Sequence, residues 1–399
     1  MKILNVIQSY YPATVYGGPI FSVHFAAQAL ARSGHELSAS TTNANRPDRL
    51  DVPINQPVKF EPRYHVRYYH DTILDRFSWG FTRNIARDIA SCDVVHLQDV
   101  FSTYALITVF HAMRQKKPLV ISPRGVFSSW ALSAKRSAAK QFWIKWLFAP
   151  LVRRHPALLW HATSEQEAKD TTAIFPESQP IVVVNGVDLA AYDLVEIPDR
   201  TEWTQRFLGR QINADVQILL TMGRIHQVKG LDIALEALAL LRKQGRKFVF
   251  VIAGRDEGAS IDLIAQAKKL GIDDCVSFAG EVLGDDKIRF LKGADLFLFS
   301  SRSENFGLAC LEALAAGVPV IASKDTPWAS LENHGAGRWV DNNAVAIAKA
   351  INSLSTANMP AMRRAAQALA GEFGFENVAR QFSSSYEKLL TQSIRVSKI

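Results

Sequence analysis

The chain carries 399 residues, 48% apolar and 21% charged, with a formal net charge of +8. These are the values of an ordinary soluble globular protein of two or three domains, able to build a core without disulfides or a structural metal. No run approaches the length of a membrane-spanning helix, and Cys92, Cys275 and Cys310 lie far apart without a pairing rhythm, which fits a reducing compartment.

The opening KILNVIQ reads as a first strand, too short and too polar for the apolar region of a signal peptide. A Gly-bearing loop, SYYPATVYGGP, precedes a helix over IFSVHFAAQALARSG that Gly34 closes. HELSAST is a strand, 43–56 a polar loop with prolines, VRYYH a strand and FTRNIARDIAS a helix. CDVVHLQD, FSTYALITVFHAMRQ and KPLVISPRG give strand, helix, strand, the last ending in a Gly turn. ALLWHATS, SEQEAKDTTAIF and QPIVVVNG repeat the pattern. Alternation of this kind predicts a parallel, doubly wound sheet with its ligand-facing loops on one edge. Those loops include Gly17 and Gly18, His96 to Asp99, Arg124 with Gly125, and Asn185 with Gly186.

Between Asp99 and Glu165 there is no acidic residue. Arg114, Lys116, Lys117, Arg124, Lys135, Arg136, Lys140, Lys145, Arg153 and Arg154 fill that gap, interleaved with Trp130, Phe142, Trp143, Trp146 and Phe148. Residues 137–154 are expected to be helical, with a break at Pro150. The stretch is a candidate for peripheral contact with an anionic membrane. Equally, its aromatics belong to the core and its lysines are merely solvated. Nucleic acid is not expected as a partner, because no helix-turn-helix, zinc-finger or RNP-like pattern accompanies the charge.

Residues 187–215, with Pro198 and scattered charge, lack a clean period and read as a linker or domain boundary, with domains over 1–190 and 191–374. A second alternation follows. QILLTMG, the loop RIHQVKG and LDIALEALALLRKQG give strand, loop, helix. KFVFVIAG, SIDLIAQAKKLG, CVSFAG and DDKIRFLKGA continue it. The unit DLFLFSSRSENFGLACLEALAAGVPVIAS is strand, loop, helix, strand, its helix stopped by Gly317 with Pro319 beyond. The strand GRWV and helices over NNAVAIAKAINSL and MPAMRRAAQALAGEF lead to a last amphipathic helix, FENVARQFSSSYEKLLTQ.

Two features of the second half suit a diphosphate. Arg224 and Lys229 flank a strand-to-helix loop, where an Arg fork and a Lys point charge grip phosphate oxygens and Gly223 and Gly230 let the backbone come close. The turn Asn305-Phe306-Gly307 opens a helix whose free N–H groups attract an anion. Glu312, inside that helix among apolar residues, needs a partner and suits the hydroxyls of a ribose. Glu304 stands in the loop before the helix. Neither half has a G-x-G-x-x-G after its first strand or a P-loop, which weighs against an NAD enzyme and a nucleotide triphosphatase. No His, Cys or Asp cluster has metal-ligand spacing, so no catalytic metal or other cofactor is expected.

The stretch Glu304-Asn-Phe-Gly-Leu-Ala-Cys-Leu-Glu312 resembles the Glu-x7-Glu motif of retaining glycosyltransferases of family 4, and Gly223-Arg224 with Lys229-Gly230 resembles their donor-phosphate loop. The resemblance extends through Val251 to Gly254, Phe278 to Gly280, Gly317 to Val320, Gly17-Gly18 and Asn185 to Asp188, nearly the whole chain. It implies the GT-B fold: two Rossmann-like domains facing a cleft, the last helix, from about 375, crossing back onto the first. It implies a donor that is a UDP- or GDP-linked sugar, an acceptor that is a glycan or lipid-linked saccharide, and a site on the cytoplasmic side, at the inner face of the membrane.

By the same resemblance, Arg224 and Lys229 neutralise the diphosphate, Glu304 faces the transferred sugar, and Asn305 to Leu308 offer backbone N–H groups. Glu312 holds the ribose, Gly18 approaches the phosphates, and the region from Gly280 to Val282 frames the base. Many members carry His-Gly after the first domain's Pro-ending strand, where this chain has Ser122-Pro123-Arg124-Gly125. Arg124 keeps a donor but is permanently charged, and His161 or His96 is a candidate to compensate, unless each is a satisfied strand-end histidine. An epimerase or hydrolase on the same fold, and an idle binding module, are the competing readings.

Overall fold

The computed structural model describes residues 1–13, 18–71, 77–133, 137–355 and 358–396. They divide into two compact units, Met1–Gly186 with Phe375–Ile399, and Val187–Gly374.

The first unit is built on strands β1 (Lys2–Ser9), β2 (Glu36–Thr42), β3 (Ala44–Asn45), β4 (Asp48–Arg49), β5 (Pro57–Glu61), β6 (Tyr64–Tyr69), β7 (Val94–Gln98), β8 (Leu119–Ser122), β9 (Leu158–Ala162) and β10 (Ile181–Val182). Eight form one sheet in the order β10-β9-β8-β7-β1-β2-β6-β5, parallel except for the edge pair β5–β6. Helices Trp79–Ala90, Thr103–Arg114 and Glu165–Ile174 cover it, each started by a serine (Ser78, Ser102, Ser164) that accepts a backbone N–H of the first turn. Strand order reverses between β1 and β7, the kind of switch point where doubly wound sheets take ligands at their carboxyl edge.

The second unit carries β11 (Gln217–Met222), β12 (Phe248–Ala253), β13 (Val276–Gly280), β14 (Leu296–Phe299), β15 (Val320–Ser323) and β16 (Gly337–Val340). Their order, β13-β12-β11-β14-β15-β16, is parallel throughout, with its switch point between β11 and β14. Strands buried on both faces read as continuous apolar runs, as FVFVIA and LFLF do.

The helix Phe375–Val396 closes the chain on the first unit. Val378, Ala379, Phe382, Tyr386 and Leu389 are buried at helical spacing and share a core cluster with Ile3, Val94 and Val120.

Three expectations change. The boundary between the units does fall at the start of 187–215, but that stretch is no linker, since it contains helices Leu189–Leu194 and Arg200–Leu208. Asp199 caps the second, and Trp203, 1% exposed, donates its ring N–H to Phe290 O at 3.0 Å. Tyr192, Val195 and Trp203 are buried apolar anchors of this segment, and their irregular spacing leaves no periodic signal. The strand expected over 179–186 shrinks to Ile181–Val182. The basic aromatic stretch is not broken at Pro150. It runs as Ser137–Phe142, a π-helical Trp143–Phe148 and Ala149–Val152, with Pro150 in the first turn of the last piece, where its missing N–H costs little. Lys135 and Arg136 lie outside the described residues.

Candidate functional site

At the carboxyl end of β11 the chain turns at Gly223 into Arg224 and reaches Lys229 in a short 3-10 turn, Gln227–Lys229. At the carboxyl end of β14 it enters the loop Ser300 to Gly307. These two loops flank the switch point and are laced together. Arg302 N–H donates to Val228 O at 2.8 Å, and Ser300 Oγ donates to Lys229 O at 3.1 Å. The Arg302 guanidinium forks onto Asp232 at 2.8 and 2.6 Å.

Across this seam Lys229 Nζ is ion-paired with Glu304 Oε1, and Ser301 Oγ donates to the same oxygen at 3.0 Å. Both side chains are largely buried, at 19% and 14% exposure, so water screens the pair only weakly. Arg224 Nη1 meets Glu257 Oε2 at 3.0 Å in a more exposed pair. A small pocket beside these groups is lined by Thr221, Gly223, Arg224, Lys229, Phe299 and Ser301.

Both cations read from the sequence as phosphate ligands therefore already hold a carboxylate. Glu257 was not singled out, because nothing in the sequence ties a loop acid after β12 to Arg224.

The helix Leu308–Ala315 starts at Gly307, in the left-handed region at φ 88°, and no side chain caps it. Its leading N–H groups thus stay available to a ligand. Phe306 is buried against Trp328 and Phe373, and Trp328 Nε1 donates to Phe306 O at 2.7 Å. The Phe306 ring is an anchor for the turn, leaving only its backbone for ligand contact.

Glu312 is not unpaired. Lys287, from the helix Gly284–Lys292, reaches its Oε1 at 2.7 Å. Gly280 ends β13 with its carbonyl accepting from Gly254 N–H at 2.7 Å, and Val282 is half-buried beyond it. Among the described residues no group of three or more His, Cys, Asp or Glu side chains is placed to hold a metal ion.

In the first unit Gly17 lies outside the described residues, and Gly18 begins the helix Gly18–Arg32. His96 and His161 both sit in a buried chain of hydrogen bonds. His161 Nε2 lies 2.8 Å from Val183 O, which can only accept, so that nitrogen carries the proton. His161 Nδ1, 2.6 Å from Ser122 Oγ, then accepts the serine proton. Ser122 Oγ in turn accepts from His96 Nε2 at 2.6 Å, and His96 Nδ1 accepts from Tyr386 O–H at 2.7 Å.

Every proton in this chain is assigned provided both rings are neutral. Burial secures that: it pushes His161 down to about 3 and His96 well below its usual value, and the nearby Arg124 charge acts in the same direction. The two histidines are satisfied strand-end residues that tie β7, β8 and β9 to the last helix, with no ring nitrogen left over for a sugar. Ser122 and Tyr386, missed in the sequence, complete the chain.

Arg124 follows β8 in the left-handed region at φ 58°. Its Nε donates to Gln98 Oε1 at 2.8 Å and its Nη1 to Asn185 Oδ1 at 3.1 Å. Glu167, 1% exposed, accepts from Gly125 N–H at 2.5 Å, Thr163 N–H at 2.6 Å and Thr163 Oγ at 2.9 Å, which holds the Arg124–Gly125 turn to the β9 loop.

Comparison with known proteins bears on the family and the fold. Residues 205–369 match the family described as glycosyl transferases group 1, and residues 16–191 match glycosyltransferase family 4. The chain is 25% identical over 400 residues to a GDP-mannose:cellobiosyl-diphosphopolyprenol alpha-mannosyltransferase of Xanthomonas campestris, covering 98% of this chain and 97% of that one. It is 26% identical over 334 residues to an alpha-monoglucosyldiacylglycerol synthase of Streptococcus pneumoniae, covering 81% and 71%. Among solved structures, Anabaena HepE in complex with UDP and glucose superimposes with a TM-score of 0.73 at 19% identity, over 97% of this chain and 100% of that one. With two parallel Rossmann-like sheets and family matches over both units, the chain belongs to glycosyltransferase family 4 and has the GT-B fold.

Proposed function

We propose that the protein transfers a sugar from a UDP- or GDP-linked donor to a glycan or lipid-linked saccharide acceptor, with retention of configuration, in the making of a cell-surface polysaccharide or lipopolysaccharide. The observation that carries this reading is the meeting of Lys229 and Glu304 at the switch point of the second sheet, beside the uncapped helix Leu308–Ala315. Breaking a glycosyl–diphosphate bond builds negative charge on the leaving phosphate and positive charge on the sugar. Arg224, Lys229 and the helix N–H groups meet the first, and the Glu304 carboxylate meets the second. An arriving diphosphate competes with Glu257 for Arg224 and with Glu304 for Lys229, which turns Glu304 toward the sugar. The acceptor hydroxyl attacks from the leaving-group face and passes its proton to the departing phosphate oxygen, so configuration is retained.

Of the relatives named above, one transfers mannose to a lipid-linked saccharide and the other makes a glycolipid. The stretch 137–154 offers a fitting surface. Phe142, Trp146 and Leu147 are 58%, 62% and 41% exposed, among Lys140, Lys145, Arg153 and Arg154. We propose that it rests on an anionic bilayer, with Trp143 and Phe148 turned into the core. No helix among the described residues is long and apolar enough to cross a membrane.

Glu304→Gln tests the site. Transfer should fall by about 100-fold or more while UDP or GDP still binds. Full transfer by that variant sinks the assignment. Product analysis separates the competing chemistry, since free sugar or an isomerised donor formed without acceptor would mean a hydrolase or epimerase.

A further inference from the structure

We propose that Arg124 is an anion-binding residue of the first unit and takes a phosphate group of the acceptor. This rests on the transferase reading above and names the acceptor class that the first unit selects.

The geometry is that of a cation built into neutral surroundings. Arg124 stands at the carboxyl end of β8, next to the β7 strand that bounds the switch point. Its backbone is held at φ 58°, a conformation that side chains other than glycine disfavour, so the loop is specified rather than slack. Both of its hydrogen-bond partners, Gln98 and Asn185, are uncharged amides. Gln98 is 3% exposed and steadied by Asn5 at 3.4 Å. No carboxylate among the described residues lies within ion-pair distance of the guanidinium, and its Nη2 has no hydrogen-bond partner among them.

The nearest acid, Glu167, acts on Arg124 only through space, because its oxygens are occupied by Gly125 and Thr163. His96 and His161 are neutral in their chain, and the hydroxyls of Tyr10 and Tyr386 that face Arg124 are kept protonated by burial. Burial lowers Arg124 to about 10, which still leaves it charged at neutral pH.

A positioned guanidinium with a free Nη2, and no ion pair of its own, lacks the oxyanion its fork is shaped for. A sugar hydroxyl needs only a neutral donor and would gain little from a half-buried charge. A saccharide joined to its lipid through phosphate supplies the oxyanion.

Inorganic pyrophosphate is the probe. The donor-side cations are removed first, by Arg224→Ala and Lys229→Ala together, and binding is followed by isothermal titration. That double variant should bind pyrophosphate with an affinity that falls with salt, and adding Arg124→Gln should weaken it about 10- to 100-fold. Arg124→Lys, which keeps the charge without the fork, should retain part of the binding and serves if the glutamine variant does not fold. No pyrophosphate binding to the double variant overturns the proposal, as does binding indifferent to Arg124→Gln.

The same substitution in the otherwise unchanged protein should leave UDP and GDP affinity as it was. A loss of tenfold or more there would place the phosphate on the donor and overturn the acceptor assignment. Failure of the transferase reading shows separately, as absence of nucleotide binding to the unaltered protein.

Discussion

Lys287 Nζ lies 2.7 Å from Glu312 Oε1, joining the helix Gly284–Lys292 to the helix Leu308–Ala315. The acid that looked costly in an apolar helix has a counter-ion from the preceding helix. At 30% and 22% exposure, such a pair contributes at most about 1 kcal/mol to stability. Glu312→Ala is therefore expected to lower the unfolding free energy by less than about 1 kcal/mol while weakening UDP or GDP binding about 10- to 100-fold, the cost of lost carboxylate–ribose hydrogen bonds. Lys287→Ala should not weaken nucleotide binding. Equal losses in the two variants would move the ribose contact from Glu312 to Lys287.

The buried histidines make stability depend on pH. Burial pulls His161 to about 3, His24 and His155 to about 4, and His96 well below its usual value. Each ring takes up a proton more readily in the unfolded chain. The stability they contribute is complete above the unfolded value near 6.5 and is lost as pH falls toward the folded values, by up to about 1.4 kcal/mol per pH unit per ring. His161→Gln keeps an acceptor for Ser122 and a donor for Val183 but cannot be protonated. Urea unfolding at about pH 7 and about pH 5 should show the variant losing about 2 kcal/mol less than the parent. Identical losses would mean that His161 is not held neutral.

Two glycines hold the seam of the second unit. Gly230 has φ 61°, and a Cβ there would stand 2.1 Å from Ser300 O, at the end of β14. Gly307 has φ 88°, and its Cβ would stand 2.5 Å from the Phe299 ring and 3.1 Å from Trp328 Nε1. Alanine at either position costs about 1–2 kcal/mol for the left-handed backbone alone, before the clash. Because Ser300 and Phe299 cannot yield without moving the loops that carry Lys229 and Glu304, both variants should lose nucleotide binding while thermal melting remains cooperative. Retained binding in Gly230→Ala would show that the loops move independently.

The membrane proposal has its own measurement. Phe142→Ser with Trp146→Ser removes two exposed rings and leaves the half-buried Trp143 and the buried Phe148 in place. The parent should sediment with vesicles containing phosphatidylserine, less so as salt rises, and the double variant should bind at least about 10-fold more weakly. Absence of binding at low salt in the parent retires the proposal.

The βαβ rhythm of both halves, the loop order at the carboxyl edges and the Glu304 to Glu312 spacing were legible in the sequence. Each is a local pattern: period, turn glycines, a loop acid at fixed spacing before an acid in the helix that follows. What the sequence did not disclose was pairing. Lys229 with Glu304, Arg224 with Glu257 and Lys287 with Glu312 join residues from separate strand ends or helices. The helix Arg200–Leu208 in the boundary stretch went unread for the same reason, because Trp203 finds its place only against Phe290.

Strand period and turn chemistry, which act between near neighbours, let the sequence by itself determine two doubly wound units and the loops that carry their chemistry. Tertiary structure alone decided the charge states: which acid neutralises which cation, that His96 and His161 are spent in a neutral chain through Ser122, and that Arg124 has no ion pair among the described residues. Those outcomes depend on distance and burial across the sheet, and neither is written in the order of residues.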